Sequence, residues 1–451
     1  MNFRLRTLTA SIALLGTAGV THAAGFNLLE QNNSGLGNAY AGSAAVAENA
    51  STTYFNPAGL TQLDGLQIST GVSFIRPGFK FTDKGTTLPN NLTGAGTGFS
   101  PVPTALGNTG GDAGGWGVVP NLYMSYKLND RVALGLGISA PFGLKTEYES
   151  DWMGRYHSRS FDIKTININP SVAFKVDPSF SVGLGLNIQR IEATYEKAVP
   201  VGTGVIPVPA GLPHPLAGKE VYLSGDAKTK VKNTGYGWNI GLLYHPSEDT
   251  RIGLSYRSRI KHKADGDTSV SFINPLTRST TQIISDSAAS VSLPDMAILS
   301  GYHRLNDKWE IMGDVSWTGW SSLPKLTITN AKLPETTLQL HFKDSWRIAV
   351  GANYAVNDAW KIKAGLAWDQ SPVRHTEHRL ASLPDSNRYW LSLGAQFKPT
   401  ANTTLDVGYA YIIADKSKIN NNNGNAAAYG TLKGSYKADS HVFGLQLSHR
   451  F

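Results

Sequence analysis

Trp360-Lys361-Ile362-Lys363-Ala364-Gly365-Leu366-Ala367-Trp368-Asp369 is the stretch on which the fold turns. Side chains on a strand point to opposite faces in turn. Trp360, Ile362, Ala364, Leu366 and Trp368 therefore share one face, and Lys361, Lys363, Gly365, Ala367 and Asp369 share the other. The apolar face starts and ends on tryptophan. The opposite face is small or charged.

The alternation recurs along the chain. Val132, Leu134, Leu136, Ile138 and Ala140 face away from Arg131, Ala133, Gly135, Gly137 and Ser139. Phe180, Val182, Leu184, Leu186 and Ile188 oppose Ser181, Gly183, Gly185, Asn187 and Gln189. Further instances start at Arg251, Ser345 and Tyr389, and the chain ends on Phe443, Leu445, Leu447, His449 and Phe451. A soluble antiparallel sheet hides such an apolar face in a core. A transmembrane barrel turns it toward lipid and its small or polar face toward the lumen.

Three features favour the barrel. Aromatic residues bracket the apolar faces, as in Trp346 with Tyr354 and Tyr389 with Phe397, which is the layout of interfacial girdles. The periodic runs reach ~9–11 residues, the length that crosses a bilayer with tilt. The connections also alternate in length. Short Asn-, Asp- or Pro-bearing turns lie at 128–130, 176–179, 245–249, 305–308, 356–358 and 398–402. Long connections lie at 82–115, 147–158, 198–234, 265–287, 320–338, 370–386 and 415–438. Six turns and seven loops join fourteen strands. The expected fold is an all-β membrane protein, a 14-stranded antiparallel transmembrane β-barrel spanning 66–451.

Composition agrees. Only 16% of the 451 residues are charged, against roughly 25% in ordinary soluble domains. There is no cysteine, so disulfides, thiol nucleophiles and cysteine-ligated metals are excluded. Arg4 and Arg6 precede an apolar run from Leu8 to Val20 that ends in Thr21-His22-Ala23, a signal-peptide pattern predicting 1–23 as a cleaved leader. Its removal lowers the formal charge from +8 to +6. The remaining basic residues are dispersed, so no nucleic-acid partner is expected. They suit anionic ligands or lipopolysaccharide phosphates. The expected location is the outer membrane of a bacterium, among its lipids.

Residues 24–65 do not alternate. They are rich in Gly, Ala and Asn, and they are expected to form an N-terminal hatch, a plug inside the lumen.

At this point the chain resembles the outer-membrane long-chain fatty acid transporters and their aromatic-hydrocarbon relatives (FadL/TodX type). The resemblance rests on Ala24-Gly25-Phe26, on Ser34-Gly35-Leu36-Gly37 with Ala39, Tyr40 and Gly42, and on Asn56-Pro57-Ala58. It continues through Gly143-Leu144 with Thr146-Glu147, Tyr256-Arg257-Ser258, Phe342-Lys343-Asp344 with Arg347-Ile348-Ala349, and Ser371-Pro372-Val373. It implies a hatch-gated barrel that takes up long-chain fatty acids passively, with sideways exit through the wall, no catalysis and no cofactor. Uptake of aromatic or alkane hydrocarbons is the alternative. Terminal Phe451 resembles the assembly signal of such barrels, which implies the barrel assembly machinery as a partner in biogenesis. A monomer is expected.

The resemblance carries over to particular positions. Phe26 matches an aromatic residue that occupies the ligand pocket. Asn56, Pro57 and Ala58 match a hatch motif that couples to pocket opening. Ala140-Pro141-Phe142-Gly143 matches the strand kink that makes a lateral opening, and Pro is independently ill-suited to a sheet ladder. Lys197 matches a basic residue that meets the ligand carboxylate. The family's second basic position falls near Leu338, a departure that Lys332, His341 or Lys343 is left to compensate. That departure keeps a neutral hydrocarbon open as the solute.

Other patterns carry less. His375-Thr376-Glu377-His378 has ligand types but no third partner in sequence, so a polar turn and no metal is expected. No Gly-x-Ser-x-Gly elbow or Ser/His/acid order supports a lipid-modifying enzyme. A general porin would lack the small-residue plug.

Overall fold

The computed structural model describes residues 25–93, 105–205, 220–273 and 278–451; the expected leader, 1–23, lies outside them. In chain order the strands are β1 (Leu66–Asp83), β2 (Gly117–Lys127), β3 (Val132–Ser139), β4 (Gly143–Glu147), β5 (Ser160–Lys175), β6 (Phe180–Val205) and β7 (Glu220–Ser247). They continue with β8 (Thr250–Arg257), β9 (Ile260–Ile273), β10 (Thr280–Leu293), β11 (Met296–Arg304), β12 (Trp309–Thr318), β13 (Lys325–Asn330) and β14 (Thr336–Gln339). The last are β15 (Ser345–Ala355), β16 (Trp360–Asp369), β17 (Arg388–Thr400), β18 (Thr403–Ala414), β19 (Ser417–Asn421) and β20 (Leu432–Arg450). β3–β4, β8–β9, β10–β11 and β18–β19 are interrupted single wall strands, and β13–β14 is a hairpin within an outer loop, which leaves fourteen wall strands.

The wall closes on itself. β1 pairs antiparallel with β2 on one side and with β20 on the other, from Gln67↔Arg450 to Asp83↔Gly434. Closure removes the sheet edge that lipid could not hydrate. The terminal strand is the one that completes it.

Burial runs opposite to that of a soluble sheet. Leu184 and Leu186 are 47% and 62% exposed, while Asn187 and Gln189 on the other face are buried. The apolar side chains point outward, as a lipid-facing wall requires. Aromatic residues cap this face at both ends with a constant spacing of eight residues: Tyr236 and Tyr244, Trp346 and Tyr354, Trp360 and Trp368, Tyr389 and Phe397. At ~3.3 Å per residue and a strand tilt of ~40°, eight residues cover roughly 20–26 Å, the height of the ~25 Å apolar band.

Two long connections are shorter than the sequence pattern predicts. Most of 198–234 and 265–287 is strand: β6 and β7 stay paired from Phe180↔Tyr244 out to Val205↔Glu220, and β9 and β10 from Ile260↔Leu293 to Ile273↔Thr280. Beyond Tyr236 the outward residues become Lys228, Lys230 and Lys232 instead of Leu and Trp. Period two persists, but the apolar–polar contrast that announces it is lost once the strands leave lipid.

Residues 25–63 pack inside the barrel against its lumen-facing side chains. They form two tight 3₁₀ turns (Leu36–Asn38 and Pro57–Gln62) and a one-turn helix α1 (Thr52–Phe55), nearly all buried. The small lumen face receives them. Leu36 packs on Gly408, Gly37 lies Cα to Cα against Gly394, and Asn38 presses on Gly351 and Gly365. Lys363 ties the plug to the wall: its Nζ donates to the Ser34 carbonyl (2.9 Å) and lies 3.1 Å from Glu48 and 3.0 Å from Asp406.

Candidate functional site

The third wall strand breaks where Pro141 interrupts it. β3 stays in register with β5 up to Ser139↔Asn167, and β4 resumes at Gly143↔Lys164. Three residues, Ala140–Phe142, thus stand opposite two, Thr165 and Ile166. Such a bulge shifts the strand's alternation by one and bends it. Phe142 and Leu144 consequently point inward, where β3 had used odd-numbered positions. The Thr165 side chain bridges the break, accepting from the Phe142 N–H (2.9 Å) and donating to the Phe142 carbonyl (2.7 Å). β2 pairs with β3 only as far as Leu122↔Ile138, and β4 pairs with β5 alone among the named strands. The wall is therefore unzipped between β4 and the outer half of β2.

The N-terminal segment lies along that break. Leu28 N–H donates to the Pro141 carbonyl (2.8 Å), and Gly143 N–H donates to the Phe26 carbonyl (3.0 Å). Gly25, at φ +69°, turns the chain inward; a Cβ there would sit 2.6 Å from the Trp320 ring. Phe26 is then held edge-on between Trp320 (4.8 Å between ring centres) and Phe142 (6.0 Å). Trp320 meets Phe342 in the same way (5.9 Å). Edge-to-face geometry of this kind suits the aromatic quadrupole.

Beside this aromatic cluster lies an apolar cavity of about 50 Å³, lined by Phe161, Ile163, Ile191, Tyr195, Val231, Val291 and neighbours, with Leu326 and Ile328 folded in from the β13–β14 hairpin. Phe26, Phe142, Trp320 and this lining form one continuous buried cluster. A second cavity of about 50 Å³ lies between Asn27–Leu29 and Tyr54–Phe55 of the hatch. A polar vestibule of about 500 Å³, lined by Glu48, Arg251, Glu310 and Lys361, lies at the short-turn end of the barrel.

Lys197 sits two residues beyond Tyr195 on the same inward face of β6, roughly 7 Å further out. It is buried. Its Nζ lies 3.2 Å from the Tyr429 hydroxyl and 4.3 Å above the Tyr429 ring, and it makes no ion pair among the described residues. His157, in the outer loop before β5, completes the group: its carbonyl accepts from the Tyr195 hydroxyl, and its ring is 5.7 Å from that of Tyr429. Burial, with the Lys197 charge adding to it, pulls the His157 pKa down to about 3, so the ring is neutral at physiological pH.

The other expected positions fall elsewhere. Leu338 is buried in the apolar cluster, facing Leu326 across the hairpin. Lys332 and His341 are exposed and Lys343 is half-buried; none lines the apolar cavity. His341 reaches His378 (4.4 Å between rings), and no group of three ligand side chains among the described residues is arranged to hold a metal ion. Asn56 is fully buried on the far side of the hatch; its Nδ2 donates to the Ala44 (2.7 Å) and Leu242 (2.9 Å) carbonyls and its Oδ1 accepts from Ala58 N–H (3.0 Å). Sequence reading missed Trp320, His157 and Tyr429. Trp320 follows a broken alternation at Gly319, the one available hint, whereas His157 and Tyr429 lie in aperiodic loops that carry none.

The family model for outer membrane protein transport proteins (OMPP1/FadL/TodX) matches residues 14–451. The chain belongs to this family. Over 97% of its length it is 32% identical to the outer membrane protein P1 of Haemophilus influenzae, covering 98% of that protein. It is 31% identical to the long-chain fatty acid transport protein of Escherichia coli K12, over 93% of this chain and 94% of that one. A Pseudomonas aeruginosa FadL homologue of known structure superposes with a TM-score of 0.82 at 26% identity, covering 95% of this chain and all of the other. As a member of the OMPP1/FadL/TodX family, the protein is an outer-membrane transporter of hydrophobic solutes.

Proposed function

We propose that this barrel takes up long-chain fatty acids passively and releases them sideways through the break between β2 and β4. The observation that carries the reading is Lys197: a buried ammonium without an acidic partner among the described residues, at the outer end of an apolar cavity. A carboxylate head group supplies the missing counter-charge, and a charge-assisted hydrogen bond of this kind is about twice as strong as a neutral one. The acyl chain gains ~0.8 kcal/mol per CH₂ moved from water into the apolar lining. Phe26 fills the ligand's path in the closed state, and withdrawal of Phe26–Leu28 from the Pro141 edge opens both cavity and wall. Asn56-Pro57-Ala58 anchors the hatch while this happens. The chain acts as a channel, without catalysis.

A second reading, uptake of neutral hydrocarbons, has one observation in its favour: Leu338 makes apolar the place where the resemblance expects a second basic contact. Binding of oleate, oleyl alcohol and toluene to the purified barrel separates the two. Oleate binding at least tenfold tighter than the alcohol, with the difference lost in Lys197→Ala, supports the fatty acid. Equal affinities for oleate and the alcohol reject it.

A further inference from the structure

On the outside of the barrel, three cations stand at the outer aromatic girdle, Arg190 and Lys263 one rung beyond Tyr236 and Lys261 level with it. Arg190 on β6 and Lys261 and Lys263 on β9 are exposed, while Gln189, His262 and Ala264 between and beside them are buried. All three therefore point away from the lumen. Their height follows from register. Ile188 pairs with Tyr236 of the girdle, and Arg190 pairs one rung further out with Thr234. On the other side of β7 the next strand is β9; Asn233 donates to the Lys263 carbonyl (2.7 Å), which puts Lys263 at the level of Thr234. Lys263 pairs with Ser290 and Lys261 with Ser292 on β10, both directed outward.

Among the described residues these two rungs carry no outward-facing acid on β6, β7, β9 or β10. Glu192 and Asp265 lie one rung beyond them, and Arg190 leans outward to Glu192 (2.8 Å). Lys261 and Lys263 make no ion pair among the described residues. Two exposed lysines two residues apart on one strand face repel each other weakly through water, and an anion between them replaces that repulsion with attraction. An anion so placed sits at the lipid–water boundary on the long-loop side of the barrel, beside hydroxyls from Thr234, Ser290 and Ser292. Cations at this depth meet lipid phosphates.

We propose that Arg190, Lys261 and Lys263 form a binding site for the phosphates of the outer-leaflet glycolipid, lipopolysaccharide. The inference rests on the outer-membrane placement of the barrel and not on the identity of its solute. The strands that the lipid clasps, β6, β7 and β9, are those whose inner faces carry Ile191, Val231 and Ala264 of the apolar cavity. The outer leaflet thereby braces the cavity wall.

The test is native mass spectrometry of the barrel titrated with lipid A in mild detergent. The wild type is expected to retain one lipid A through detergent exchange. The triple variant Arg190→Gln, Lys261→Gln, Lys263→Gln is expected to bind it at least tenfold more weakly. Lys308→Gln with Lys398→Gln, at the opposite end of the barrel, is expected to bind as the wild type does. The charge-preserving triple Arg190→Lys, Lys261→Arg, Lys263→Arg is expected to restore binding, which guards against a folding artefact in the glutamine triple. Undiminished lipid A binding by the glutamine triple overturns the site. Equal binding of phosphatidylglycerol, or displacement of lipid A by millimolar inorganic phosphate, overturns its assignment to the glycolipid. Oleate affinity is measured in parallel, so that a failure of the fatty-acid reading is seen separately.

Discussion

Leu28 donates its backbone N–H to the carbonyl of Pro141 across 2.8 Å, so the N-terminus of the hatch is paired, like an added strand, with the broken edge of the barrel wall. Proline sets up this contact. Its ring disrupts the ladder at β3, which leaves a carbonyl facing the lumen that the neighbouring strand does not use. The same segment carries Phe26 into the aromatic cluster beside the apolar cavity, so one short piece of chain contacts both the interrupted wall strand and that cluster.

Phe26→Ala tests that coupling. Truncating a buried phenylalanine typically costs 3–5 kcal/mol, here at the expense of the closed state. Oleate is expected to associate several-fold faster, as followed by the fluorescence of Trp320 and its neighbours in stopped flow. An unchanged association rate removes Phe26 from the gate.

Gly365→Ala tests how the plug is seated. A Cβ at Gly365 collides with the Asn38 backbone, which has no flexible end to move aside. The hatch is expected to shift from its seat while the wall strand, exposed on its other face, stays folded. Planar-bilayer recordings should show a larger and noisier single-channel conductance than the wild type. A silent channel would mean that the hatch accommodates the methyl group.

Lys363→Met leaves Asp406 buried and Glu48 partly buried without their cation. Breaking a buried pair by removing one partner typically costs about 3–5 kcal/mol. The expected outcome is protease cleavage within 25–63 under conditions where the wild-type hatch resists. Adding Glu48→Gln and Asp406→Asn to Lys363→Met should recover most of the resistance, because the stranded charges are then gone.

His157 predicts a pH dependence. Its folded-state pKa, about 3, lies below the ordinary 6.5. The unfolded loop binds the proton more readily, so the stabilisation is complete above pH 6.5 and is lost as pH falls toward 3. Protection of the outer-loop amides, the observed exchange rate taken relative to the intrinsic rate at each pH, should fall between pH 6.5 and 4, and His157→Gln should flatten that profile. An identical loss of protection in the variant would assign the effect to other groups.

Reading the residues alone went furthest where lipid imposed a contrast. Trp360 through Trp368 must alternate because one face meets hydrocarbon and the other the lumen, and that physical demand is written residue by residue. It yields the wall strands and their outward face, while the alternation of short turns and long loops supplies the count of fourteen. The signal faded where the demand ended: Lys228, Lys230 and Lys232 alternate as regularly as Leu184 and Leu186, but they meet water, so the outer halves of β6 and β7 resembled a loop.

The site was legible only in part. Phe26, Lys197 and Pro141 stood out through the family resemblance, while their partners did not, because Trp320, His157 and Tyr429 lie far from them along the chain and in segments without periodicity. What the sequence by itself determined is a lipid-facing wall with a small-residue interior, since each strand's two solvents dictate its own alternation. Only the tertiary structure decided that Gly365 and Gly394 receive Asn38 and Gly37, that Leu28 pairs with Pro141 at the break, and that Lys197 has no acidic partner among the described residues. These depend on which distant segments the closed barrel brings face to face, and no local pattern encodes that.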